Sequence, residues 1–62
     1  MEIIMRDVNR IEPLLTRLQE VWKKYPDLRL GQLILNVAKD PQIYYMEDDQ
    51  LLDLIEQFYL GR

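Results

Sequence analysis

Between Val8 and Tyr25 the apolar residues fall at Val8, Ile11, Leu14, Leu15, Leu18, Val21, Trp22 and Tyr25. Steps of three and one repeat along this run, which is the signature of one face of an α-helix. Asp7 or Asn9 can cap its start, and Asn9 with Glu12 three residues on resembles a capping box, in which each side chain satisfies a free amide of the first turn. Pro13 removes a backbone donor and disfavours helical geometry at Glu12, so the helix either starts near Glu12 or bends in its first turn. Because Val8 and Ile11 continue the stripe across the proline, the bend is the preferred reading. Pro26 ends this helix and Asp27 is placed to cap the next. In the second helix Leu30, Leu33, Ile34 and Val37 form the inner face, Leu28 packs at the corner, and Asp40-Pro41 closes it. Gly31, early in that helix, suggests the close approach of another backbone.

The segment Pro41-Gln42-Ile43-Tyr44-Tyr45-Met46 is too short for a helix of its own. It reads as an extended connector, with one tyrosine inward and the other outward, because neighbours in an extended chain point to opposite sides. Glu47, Asp48 and Asp49 then put negative charge where the free amides of a helix start favour it. Leu51, Leu52, Leu54, Ile55, Phe58 and Tyr59 give this third helix a wide apolar face, and Gly61 stands where a C-terminal cap is expected. The pattern predicts an all-α protein: a compact three-helix bundle with helices at about 8–25, 28–39 and 48–60, an extended aromatic connector before the last, and a loose segment 1–7. Ile3-Ile4-Met5 could extend the first helix, lie over the core or join a dimer contact.

Composition sharpens this picture. A chain of 62 residues has room for one domain, near the lower limit for folding without disulfides or metal. Thirty of its residues are apolar, more than three short helices readily hide, so surface that meets another chain, a homodimer included, is expected. With no cysteine, no disulfide framework supports the fold, and a reducing, cytoplasmic setting is expected. No signal-peptide core is visible in the first residues, and no apolar run is long enough to span a membrane.

The residue types that are missing restrict the chemistry further. There is no His, Cys or Ser, and Thr16 is the only aliphatic hydroxyl. Nucleophilic triads, imidazole bases and His or Cys zinc sites are therefore excluded. The two glycines, Gly31 and Gly61, cannot build a phosphate-binding Gly-rich loop. Asp49, Asp53 and Glu56 line one face of the third helix, a row able in principle to hold a divalent cation or supply an acid–base pair, but no calcium-loop pattern accompanies it. The expectation is a protein that is not an enzyme and uses no metal or cofactor.

Charge is divided unevenly along the chain. Residues 1–39 carry seven basic and five acidic side chains, a net of +2, whereas residues 40–62 carry one basic and six acidic, a net of −5. The acidic third suits docking on a basic protein surface, and the tyrosines add residue types enriched at interface hot spots. The candidate partner-binding residues are accordingly Tyr44, Tyr45, Asp48, Asp49, Asp53 and Glu56. The competing reading is a nucleic-acid-associated regulator using Arg6, Arg10, Arg17, Lys23, Lys24 and Arg29. The acidic starts of the second and third helices argue against it, since a recognition helix wants basic and amide groups there. Trp22, within the first helical stripe, is expected in the core with its indole donor at the rim.

The run Pro26-Asp27-Leu28-Arg29-Leu30-Gly31-Gln32-Leu33-Ile34-Leu35-Asn36, preceded by Trp22 and followed by Tyr44-Tyr45-Met46-Glu47-Asp48-Asp49, resembles short uncharacterised proteins of bacteria and their phages that share a W-x-x-x-P-D-x-R-L-G-Q-L-I-x-N core. The resemblance spans roughly residues 8–60 and implies a phage or prophage setting, but no activity. Gln32 and Asn36 lie four apart on one helix face, and a structural role for them, tying the connector, is the preferred reading.

Overall fold

The computed structural model describes residues 6–62; Ile3-Ile4-Met5 lie outside them. The protein is an all-α, three-helix bundle: α1 spans Ile11–Lys24, α2 Leu30–Leu35 and α3 Asp48–Leu60, with short 3-10 turns at Val8–Arg10 and Gln42–Tyr45. Val21 of α1, Leu33 of α2 and Ile55 of α3 meet at the centre with almost no exposure. Leu18, Trp22, Leu28, Ile34, Val37 and Leu51 pack around them, half-buried.

The start of α1 differs from the expected capping box. Asp7 is the cap, accepting the Asn9 amide on Oδ1 at 2.9 Å, and a 3-10 turn precedes the α-helix. Pro13 falls in the first turn of α1, where its missing amide hydrogen would have had no acceptor inside the helix. Val8 and Ile11 continue the stripe but do not enter the core, being 69% and 44% exposed.

Asp27 does not cap α2. Pro26 and Asp27 form the corner of a turn closed by the Leu28 amide on the Tyr25 carbonyl at 3.1 Å, a place suited to the fixed φ of proline. The cap falls to Arg29, in extended geometry, whose amide donates to Gln32 Oε1 at 3.0 Å. Helix α2 is six residues long, not the twelve of 28–39. Beyond Leu35 the amides of both Val37 and Ala38 turn to the Ile34 carbonyl, which tightens the chain, and the Leu33 carbonyl instead accepts the Tyr59 hydroxyl at 2.8 Å. A phenol from α3 thus satisfies a carbonyl at the end of α2, one of the acceptors a helix end leaves open. Tyr59→Phe is expected to lower stability by about 1 kcal/mol, read as a drop in urea midpoint at unchanged slope.

The connector is not extended. The amide of Ile43 reaches Lys39 O at 3.1 Å, and those of Tyr44 and Met46 reach Pro41 O and Ile43 O at 3.1 and 3.3 Å, winding it into a 3-10 turn after a cis Asp40-Pro41 bond. Three residues per turn set Ile43 and Met46 on one side, where both are half-buried. Tyr44 and Tyr45 are consequently both outside, each 79% exposed, rather than one in and one out. Gly31 has nothing within 4 Å of where a Cβ would stand, so it marks no close backbone approach. Gly61 takes φ 71° as the C-terminal cap of α3, a left-handed geometry that glycine adopts without strain.

Candidate interaction surfaces

Charge along α1 and α3 is arranged as a ladder between the two helices. Arg6 donates to Glu47 Oε2 at 2.6 Å, Arg10 Nε to Asp48 Oδ2 at 2.7 Å, and Arg17 to Asp53 Oδ1 at 2.7 Å. Arg17 also grips both oxygens of Glu56, at 2.9 and 3.1 Å. Residue numbers rise together on both sides, so α1 and α3 run in the same direction with α2 between them in sequence. A cleft of about 430 Å3, lined by Arg6, Arg10, Arg17, Glu47, Asp48 and Asp49, lies at the start of this seam.

The ladder shifts the titration of its members. Hydrogen bonds from Arg17 hold the Glu56 carboxyl below its usual value against the opposing effect of burial, and those from Arg6 do the same for Glu47. Arg17 is in turn held further above its already high value, first by Glu56 and then by Asp53.

The six residues singled out from sequence are therefore not one surface. Asp48, Asp53 and Glu56 face α1 and are engaged by its arginines. Asp49 accepts the Gln50 amide at 2.9 Å and is exposed. Tyr44 and Tyr45 stand apart at the connector, their rings edge-on at 5.0 Å. Next to them in the chain, Gln42 and Met46 line a hollow of about 380 Å3 with Gln50, Asp53 and Leu54 of α3. Among the described residues no group of three or more acids is placed to hold a metal ion, and no helix is long and apolar enough to cross a membrane.

Residues of the W-x-x-x-P-D-x-R-L-G-Q-L-I-x-N core are likewise engaged within the fold. The Trp22 indole donates to Leu28 O at 2.8 Å from a half-buried ring, Gln32 holds the Arg29 amide, and Asn36 Nδ2 donates to the Tyr59 hydroxyl at 3.3 Å.

A second surface had no place among the sequence-derived candidates. On the outer side of α1 an apolar groove of about 450 Å3 is lined by Leu15, Leu18, Gln19, Trp22, Lys23 and Pro26. A smaller hollow of about 210 Å3 shares Leu15 and Leu18 with it and reaches Leu51 and Leu52 of α3. Comparison of the chain with protein-family models, with curated proteins and with solved structures gives no match.

Proposed function

We propose that this is a small, non-catalytic, cytoplasmic interaction protein that acts by occupying a protein partner's surface, anchored by Tyr44 and Tyr45. The observation that carries the reading is the tyrosine pair itself, two neighbouring rings each 79% exposed and set edge-on on a turn tied by three backbone hydrogen bonds. Large aromatic side chains held in place before binding lose little freedom on docking and are enriched at hot spots. The hollow between Gln42, Met46 and Leu54 offers a recess next to this protrusion. Without His, Cys or Ser, and with three carboxylates of α3 engaged by arginine, little remains to run general acid–base or nucleophilic chemistry.

A nucleic-acid-associated regulator has less support, because three of its six basic residues, Arg6, Arg10 and Arg17, already hold carboxylates, and phosphate would have to displace them there. The test is the double substitution Tyr44→Ser/Tyr45→Ser. Both rings are exposed, so folding should stay within about 0.5 kcal/mol of wild type, while partner affinity should fall at least ~30-fold, the loss of one strong hot spot. Undiminished partner binding by a folded double variant would overturn the assignment of this surface.

A further inference from the structure

We propose that the outer face of α1 is a homodimer seam, on which a second copy of this chain docks its own α1 in antiparallel orientation. The inference is independent of the tyrosine pair and concerns a different surface.

Ile11, Leu15, Leu18 and Trp22 are separated by four, three and four residues, the alternation that keeps an apolar row facing a second helix along its length. The bundle covers this row only in part, Leu18 and Trp22 being half-buried against the core. Leu15 is 56% and Ile11 44% exposed, and Leu15 stands between the two hollows that it shares with Leu18. A protruding leucine flanked by recesses is the arrangement that knobs-into-holes packing requires. Under a two-fold axis across the middle of the row, Leu15 of each copy meets Leu18 of the other and Ile11 meets Trp22. One patch then supplies both knob and hole, as an isologous interface demands.

Charge selects the antiparallel direction. Glu12 and Lys23 lie on the same outer flank of the row, toward its opposite ends; both are exposed, and neither is in an ion pair among the described residues. An antiparallel two-fold axis keeps this flank on one side and sets Glu12 of each copy near Lys23 of the other, giving two equivalent pairs. The parallel alternative would turn the flank of one copy toward the α3 side of the other and forfeit both pairs. A specific interface needs about 500 Å2 from each partner, near a tenth of the 5219 Å2 surface of the chain, so the seam would have to take in Pro26 and the rim of α3 at Leu51 beside the row. A small core gives such burial a purpose, since only Val21, Leu33, Ala38, Leu52 and Ile55 are buried apolar residues among those described, and association is one of the ways small domains gain stability.

The experiment is sedimentation equilibrium of the full chain over a range of concentrations, with circular dichroism as a check on folding. A dimer is expected for wild type and a helical monomer for Leu15→Glu, the dissociation constant rising about 100-fold or more when a charge is buried in the seam. Because Leu15→Glu could in principle perturb the bundle, the exposed flank supplies an independent test. Glu12→Lys and Lys23→Glu should each weaken the dimer about three- to tenfold, two like-charge pairs replacing two opposite ones, and the double exchange should restore it. A monomer at every concentration, a dimer indifferent to Leu15→Glu, or a double exchange no better than the single ones would overturn the proposal.

Discussion

Leu33→Ala is expected to be strongly destabilising. Leu33 has no exposed surface and joins α2 to Val21 of α1 and Ile55 of α3, so its truncation empties the one point where all three helices meet. Removing a buried leucine side chain costs about 2–5 kcal/mol, the upper part of the range applying where the surroundings cannot collapse into the void. Chains of this size hold roughly 3–9 kcal/mol in total, so a single truncation removes a large share of it. Urea denaturation followed by circular dichroism, at one fixed protein concentration so that any association contributes equally, should show a large fall in the midpoint at unchanged slope. Leu33→Met, which conserves volume, should lie within about 1.5 kcal/mol of wild type. Leu30→Ala, three residues away but 40% exposed, should have a small effect. Equal stabilities for Leu33→Ala and Leu30→Ala would contradict the assignment of the core.

Arg17→Ala is the second large effect. Its guanidinium bonds Glu56 through two nitrogens and Asp53 through one of them, and the Glu56 side chain retains only 15% of its exposure. Deleting the arginine removes the donors to both oxygens of that carboxylate. Hydrogen bonds to charged groups contribute about 1.5–3 kcal/mol, and because Arg17 is itself 30% exposed solvent screening brings the expected loss to about 1–2 kcal/mol. The loss depends on pH with a definite sign. Folding lowers the titration point of Glu56 below its ordinary value, which in the unfolded chain is about 4.3. The stabilisation is complete above that ordinary value and disappears as the pH falls through the lower, folded one. Wild type should therefore lose stability on acidification below about pH 4, whereas Arg17→Ala should start lower and fall less steeply. Parallel curves for the two proteins would show that the pair contributes nothing.

Helical periodicity carried much of the fold. It identified α1 and α3 because each has several turns of apolar repeat, and the acids at 47–49 and Gly61 marked the ends of α3. It failed at α2 for a reason that lies outside the segment: Tyr59, twenty-six residues from Leu33, satisfies the carbonyl that would otherwise extend the helix. The connector misled through periodicity, since Tyr44 and Tyr45 point to opposite sides in a strand but both outward in a 3-10 turn. Six residues cannot distinguish the two geometries by pattern. Acids on α3 read as a free surface because their partners stand thirty-six to forty-one positions earlier. The seven-residue step from Arg10 to Arg17 on one helix, near the spacing of Asp48 to Glu56 on the other, is the trace of the ladder in the sequence. The apolar count implies exposed apolar surface, but the repeat alone does not say which residues of the α1 stripe supply it. Along the stripe Leu14, Leu18, Val21 and Trp22 are buried or half-buried, whereas Ile11 and Leu15 are exposed.

On the proposed function, partner binding rests on exposed aromatic and apolar surface, while much of the charge of α1 and α3 is used within the bundle. Affinity capture of the tagged chain from a lysate of its source cell, washed at low and at high salt, with the eluate analysed for protein and for nucleic acid, tests it most directly. Salt screens exposed charge and steeply weakens phosphate binding, but leaves apolar burial intact. The expected result is a stoichiometric protein retained at high salt by wild type and lost with Tyr44→Ser/Tyr45→Ser. Recovery of nucleic acid alone, released as salt is raised, would contradict the account and favour a regulator working through basic residues of α1.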